Sequence, residues 1–212
     1  FIYASSAAVY GDGSLGFDDD NELTFKLKPL NKYGFSKLLF DKYVIKNGYS
    51  DKAVGLRFFN VFGPNEYHKE YMSSVIYKAY NEIKQTGKMK LFKSNQSGVE
   101  HGEQKRDFIY VHDVINVTEF FINNPNINGI FNVGTGSADS FNTLANNVFN
   151  SMNKKANIEY FDMPEKLCGK YQNYTCADIS KLRNAGYTKD FSGFDIAVTE
   201  YVKDFLATGE CY

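Results

Sequence analysis

Asn31-Lys-Tyr33-Gly-Phe-Ser-Lys37-Leu-Leu-Phe-Asp-Lys-Tyr-Val-Ile-Lys-Asn-Gly48 reads as one helix, with Pro29 and Asn31 as start signals and Gly48 as the stop. Tyr33 and Lys37 are four residues apart, so their side chains leave one face, one turn from each other. A phenol is a poor base at neutral pH, and an ammonium one turn away favours its ionised form. The pair is therefore a candidate proton shuttle for alcohol chemistry. The spacing alone is weak. With 16 Tyr in 212 residues, about 1.6 such pairs arise by chance, and the chain also contains Tyr80/Lys84. An ordinary amphipathic helix with Tyr33, Phe40 and Val44 on its stripe accounts for the same letters.

The flanks decide between these readings. Phe1-Ile-Tyr-Ala4 has the continuous apolar pattern of a strand covered on both faces. Ser6 follows at its C-terminal end, the edge where doubly wound sheets bind ligands. Its hydroxyl suits a substrate oxygen, or a turn in which it bonds its own backbone. After the helix, Ala53 to Pro64 reads as a second buried strand running into a turn. Strand, helix and strand make a parallel crossover that carries Ser6, Tyr33 and Asn60 towards one edge. Asp12 to Lys28, acidic and glycine-rich, reads as a surface loop.

Composition excludes several classes. The net charge is −1 and the mean hydropathy −0.41, with no basic run, so neither nucleic acid nor an anionic membrane is the bulk partner. No stretch approaches the roughly 20 apolar residues of a membrane span. Cys168, Cys176 and Cys211 lack metal-ligand spacing, and their odd number argues against a disulfide framework. Reduced cytoplasmic thiols and no metal centre are expected. Because the chain opens in mid-strand, it is expected to be the C-terminal part of a longer protein.

Further on, His68 and Lys69 sit in a polar loop, where Lys69 is a base, a phosphate ligand or a solvated lysine. Tyr71 to Thr86 has the helical pattern, with Met72, Val75, Ile76, Ala79 and Ile83 inward. Lys90 to Lys93 is a short strand, followed by a polar loop from Ser94 to Gln104. Arg106 to Asp113 is a strand entering a helix capped by Asp113. Arg106, one of three arginines, has the fork that grips a diphosphate, or pairs with a neighbouring acid. Gly129 to Gly136 is a third strand and glycine turn. Ser140 caps a helix over 141–153, Ile158 to Phe161 is a strand, and Leu167 to Tyr174 is a loop. Asp178 caps a short helix, and Phe194 to Ala207 is the last helix.

Ser6, Tyr33-x-x-x-Lys37, Phe59-Asn60-Val61-x-Gly63-Pro64, Arg106-Asp-Phe-x-Tyr-Val-x-Asp113 and Asn132-Val-Gly-Thr-Gly136 occur in this order. Together they resemble the extended short-chain dehydrogenase/reductases that act on nucleotide sugars. The resemblance covers the whole chain. His68-Lys69 and Gly169-Lys-Tyr-Gln172 narrow it to the branch of epimerases acting on an ADP-linked heptose. It implies an α/β fold: the C-terminal part of a doubly wound (Rossmann-like) parallel sheet plus a smaller α/β substrate-binding domain. Residues 1–64 would belong to the incomplete Rossmann domain. Residues 65–212 would form mainly the substrate domain, returning to the sheet around 106–153. The glycine-rich loop for NADP (or NAD) would precede Phe1, leaving these 212 residues inactive alone and the full-length protein a homo-oligomer.

The resemblance also assigns roles. Ser6, Tyr33, Lys37 and Lys69 are implied as catalytic, with Tyr33 and Lys69 serving opposite faces of the reacting carbon. Tyr33, Lys37, Val61 and Lys69 would touch the cofactor. Ser6, Asn60, Phe92, Lys93, Ser94, Asn95, Arg106 and Tyr171 would hold the ADP-sugar. Tyr71 and Lys78 stand where the family often has Ser and His substrate contacts, and the loop before Arg106 is longer than usual. Ala7-Ala8, where related 4,6-dehydratases carry an acidic pair, disfavours a dehydratase. A UDP- or GDP-sugar 4-epimerase and a non-catalytic sugar-nucleotide-binding relative are the alternatives.

Overall fold

The structure, a computed structural model, describes residues 1–165 and 171–210. Cys168, Cys211 and the first half of the loop expected from Leu167 to Tyr174 lie outside the described residues.

Strand β1 (Ile2–Ser6) pairs in parallel with β2 (Val54–Phe58), from Ile2 opposite Val54 to Ser6 opposite Phe58. Helix α2 (Lys32–Lys46) makes the crossover between them, and the Asn31 side chain caps it by accepting from the Gly34 N–H. On the other side of β2 runs β7 (Gly129–Val133), also parallel, giving the order β1-β2-β7. The central position explains why Val54, Gly55, Leu56 and Arg57 are all buried.

The stretch expected as one strand from Ala53 is two. The chain leaves the main sheet at Phe59, and β3 (Asn60–Phe62) pairs instead with β6 (Phe108–Tyr110). That break turns Asn60 and Val61 out of the main sheet. Two further small sheets complete the fold. Parallel β4 (Met89–Phe92) pairs with β9 (Ile158–Phe161), and antiparallel β5 (Lys105–Arg106) with β8 (Asp139–Ser140).

One apolar core joins α3 (Val75–Thr86), α5 (Phe141–Ser151) and α7 (Phe194–Glu200) through Ile76, Ile83, Leu144, Val148 and Val198. A second packs α4 (Val111–Asn123) and α6 (Ser180–Asn184) on the main sheet through Val54, Leu56, Val117, Val133 and Leu182. Among the described residues, no helix is long and apolar enough to cross a membrane.

Three local expectations need correction. The Asp12–Lys28 segment is not wholly a surface loop. It holds α1 (Asn21–Lys26), whose cap Asp20 accepts from the Glu22 and Leu23 N–H groups, and it buries Asp19 and Thr24. Helix α3 starts at Val75 rather than Tyr71, because Ser74 caps it through the Tyr77 N–H, leaving Met72 69% exposed. Asp113 is no cap: α4 begins at Val111, and the buried Asp113 carboxylate accepts from the Ser192 N–H and hydroxyl.

Asp19 makes stability depend on pH. Its carboxylate accepts from the buried Asn132 N–H at 2.7 Å. Burial pushes its pKa up to about 6, against that hydrogen bond and the nearby Lys181. A raised carboxyl pKa means that folding favours the protonated form. Its contribution is therefore complete below about pH 4, the ordinary aspartate range, and fades as pH rises through the folded value. Asp19→Asn is expected to match the parent near pH 4 and to exceed it by about 3 kcal/mol near pH 8, from the rise to about 6 at about 1.4 kcal/mol per pH unit. Melting curves at both pH values check this. An equal difference at both would clear Asp19.

Candidate active site

The first wall of the site is the junction of β1 with α2. Lys37 donates from Nζ to the Ala4 carbonyl at 2.9 Å and lies 5.8 Å from the centroid of the Tyr33 ring. Tyr33 itself is 56% exposed. Ser6 closes β1 and its Oγ accepts from the Ala8 N–H at 3.2 Å. This is the self-capping turn considered as the alternative for Ser6; it uses the oxygen as acceptor, and a hydroxyl also has a proton to donate.

Gly34 sets how closely α2 approaches this turn. A Cβ there would lie 2.5 Å from the Ala8 carbonyl oxygen. Gly→Ala in a helix ordinarily gains about 1 kcal/mol, but a backbone clash of this size costs about 1–3 kcal/mol. Gly34→Ala is therefore expected to lower stability and to push Tyr33 away from Ser6. A melting temperature at or above the parent's would show that the contact is not tight.

The second wall is formed by β3 and the segment after it. Asn60, Val61 and Lys69 line a cavity of about 310 Å³ with Glu66, Ser73 and Phe108. Lys69 sits in a 3-10 segment, Tyr67–Met72, bounded by the buried Glu66. The Glu66 carboxylate accepts from the Ser74 hydroxyl at 2.6 Å and the Tyr201 hydroxyl at 2.9 Å. Its backbone carbonyl accepts from the Lys69 N–H at 2.9 Å. One side chain thus pins both ends of the loop that presents Lys69.

Asn60 also lines the neighbouring cleft of about 420 Å³, together with Lys78, Phe92, Arg106, Phe141 and Tyr171. Arg106 is 7% exposed. Its guanidinium centre lies 5.0 Å from the Tyr171 ring and 5.6 Å from that of Phe141. It donates to the Lys105 carbonyl at 2.8 Å and to the Gln172 carbonyl. No ion pair among the described residues includes it, so it does not serve as the structural partner of a neighbouring acid. Burial pulls its pKa down, with the Tyr171 phenol acting the other way.

Next in the chain, the buried Asp107 carboxylate accepts from the N–H groups of Thr135, Gly136 and Ala177 and from the Thr135 hydroxyl. Those bonds hold the kink between β5 and β6 that aims Arg106. Arg106 and Tyr171 in turn border a smaller cavity with Ala8 and Asn31. The cleft therefore runs from the start of α2 past Arg106 to Asn60 and Lys69.

Not every expected residue reaches it. Ser6, Tyr33 and Lys37 line none of these three cavities, which come nearest to them at Ala8 and Asn31, and neither does Tyr71, which is 80% exposed. Lys78 lines the large cleft, but its Nζ donates to the Tyr71 carbonyl at 2.5 Å and so braces the Lys69 segment. Lys93 pairs with Asp162 at 3.1 Å. The Ser94 N–H and hydroxyl are engaged with His101 and Gln96, and Asn95 contacts Met163. The loop after β4 folds on itself, and of Phe92, Lys93, Ser94 and Asn95 only Phe92, the last residue of β4, lines the cleft. Sequence reasoning missed Gln104, Phe141 and Phe161, which only the pairing of distant strands brings there. It also passed over Gly11-Asp-Gly13-Ser-Leu-Gly16, which has dinucleotide-loop spacing. This segment runs through turns and opens no helix, so it lacks the N–H cradle that such a loop needs.

Fold and site together define a parallel α/β protein with a Tyr/Lys helix at the sheet edge and an arginine-lined cleft that borders the start of that helix. Residues 1–134 match the NAD dependent epimerase/dehydratase family, and the chain belongs to it. It is 52% identical over 210 residues to a Nitratidesulfovibrio vulgaris protein named ADP-L-glycero-D-manno-heptose-6-epimerase, covering 99% of this chain and 65% of that relative. A Fusobacterium nucleatum protein of the same name is 45% identical, covering 100% and 67%. The chain thus spans just under two thirds of the first relative's length. Among solved structures, the Helicobacter pylori ADP-L-glycero-D-manno-heptose-6-epimerase is 29% identical with a TM-score of 0.76, covering 97% of this chain and 60% of that one. A UDP-N-acetylglucosamine 4-epimerase from Methanobrevibacter ruminantium is 26% identical with a TM-score of 0.80, covering 98% and 63%.

Proposed function

We propose that this chain supplies the acid–base and substrate-holding side of a nucleotide-sugar epimerase. The substrate is ADP-D-glycero-D-manno-heptose, inverted at C6 to the L-glycero form for the heptose of the lipopolysaccharide core, in the cytoplasm. The observation that carries this reading is Arg106: a buried guanidinium with no ion-pair partner among the described residues, stacked on Tyr171 in a cleft that borders Asn31 at the start of the Tyr33 helix and meets the Lys69 cavity at Asn60. The names of the relatives at 45–52% identity support the choice of sugar.

A nicotinamide cofactor, NADP or alternatively NAD, would take up a hydride from the carbinol carbon and return it. The residues present fit its nicotinamide-ribose end: the Lys37 ammonium beside an exposed Tyr33 phenol, and the half-buried Val61 across the cleft. Tyr33 takes the carbinol proton as the hydride leaves the carbon, with the Lys37 ammonium beside it. Ser6 donates to the reacting oxygen. Lys69, on the facing wall, moves the proton for the opposite face of the carbon. Arg106 binds the diphosphate through its fork, and Phe92 and Tyr171 flank the adenosyl end. The main cofactor-binding loop is outside these residues, so the 212-residue chain alone is inactive in this reading, and the full-length protein is a homo-oligomer.

The test is turnover by the complete protein. Conversion of ADP-D-glycero-D-manno-heptose, followed by separation of the two heptose epimers, is the expected result. Turnover of UDP- or GDP-hexoses alone would replace this reading with a 4-epimerase. Neither turnover nor bound NADP would favour a non-catalytic relative.

A further inference from the structure

We propose that Asp41 and Arg57 are a buried positioning pair that sets the register of α2, bearing Tyr33 and Lys37, against the strand that presents Ser6. The proposal rests on the epimerase reading above. Both side chains have 0% exposure, and Arg57 Nε donates to Asp41 Oδ2 at 2.9 Å. The same carboxylate accepts from the Ser5 hydroxyl at 2.9 Å and the Tyr3 hydroxyl at 3.1 Å. The rest of the guanidinium donates to the Tyr10 hydroxyl at 3.0 Å and the Thr24 hydroxyl at 2.8 Å. Tyr10 passes the chain of bonds to Asn132 on β7 at 2.7 Å. The network therefore ties α1, α2, β1, β2 and β7 at one buried point.

Its place on the helix gives it a function beyond cohesion. Asp41 lies one turn beyond Lys37 and two beyond Tyr33. Lys37 holds the Ala4 carbonyl while Asp41 holds Tyr3 and Ser5. Two successive turns of α2 thus grip three successive residues of β1, and the next residue is Ser6. Sliding α2 by one residue would move Tyr33 by about 1.5 Å along its axis, and a misplacement of about 1 Å can cost about 100-fold in rate. Stability alone does not call for such a pair. Replacing a buried ion pair with apolar residues of similar volume is often neutral or stabilising, whereas fixing register is its best-attested use.

The experiment uses the complete protein with two variants: Asp41→Leu combined with Arg57→Met, and Asp41→Asn alone. A crystal structure of each reads the separation between Ser6 Oγ and Tyr33 Oη without substrate, and steady-state kinetics on the ADP-heptose reads the consequence. The expected result is a separation changed by about 1 Å or more, with kcat reduced at least about tenfold and KM within about threefold. A lowered melting temperature with parental kcat would mean a structural role only and would overturn the proposal. Parental separation, or a shifted helix with parental kcat, would overturn it as well. If the apolar double variant does not fold, Asp41→Asn carries the same readings, since it keeps the shape and one of the two acceptor oxygens while removing the charge that pairs with Arg57. A parent that turns over no ADP-heptose would sink the functional reading instead, and the measured separation would still decide the register.

Discussion

Tyr33→Phe in the complete protein is expected to lower kcat for ADP-heptose epimerisation by about 1000-fold, within the range usual for loss of a proton-transfer group. The change removes one oxygen and keeps the ring, so the packing of α2 is untouched. The ring is 56% exposed and Lys37 still has the Ala4 carbonyl to hold, so the melting temperature should stay close to the parent's. KM should also hold, because in the proposed reading Arg106, not Tyr33, grips the diphosphate. A variant that retains more than about a tenth of parental kcat would remove Tyr33 from proton transfer.

Lys69→Met tests the facing wall. It should keep cofactor binding yet lose epimerisation by about 100-fold or more, because inversion needs a proton donor or acceptor on each face of the carbon. Methionine approximates the length and apolar stem of lysine, so the 3-10 segment pinned by Glu66 should retain its path. The two variants together separate one-base from two-base chemistry. If Lys69→Met epimerises at the parental rate while Tyr33→Phe does not, the opposite face is served by solvent or by another group.

The parts of the fold legible in the sequence were those built by local forces. Asn31 caps α2 and Ser140 caps α5 through hydrogen bonds that span only three residues. The buried strands showed as apolar runs, and the crossover followed from their order. Where reasoning failed, a distant partner had decided. Asp19 reads as one of several loop acids, yet it accepts from Asn132, which is 113 residues away. Asp113 has the look of a helix cap, yet its carboxylate is claimed by Ser192, 79 residues on. The strand expected from Ala53 breaks at Phe59 because β3 finds a different partner, β6, and nothing in its letters announces the change.

The candidate site divides in the same way. The sequence by itself determined the chemistry on offer: a phenol and an ammonium one helical turn apart, a serine at a strand end, a lysine after a Gly-Pro turn and an arginine in a short strand. Helical spacing and strand alternation are properties of the backbone, so they can be read from order alone. Tertiary structure decided which of these groups face one cleft. It set Arg106 in an aromatic slot, in no ion pair among the described residues, engaged Lys93 with Asp162 and Lys78 with the Tyr71 carbonyl, and buried Asp41 against Arg57. The first and last of those outcomes depend on which distant residue is available to satisfy a desolvated charge, and that is a property of packing rather than of order along the chain.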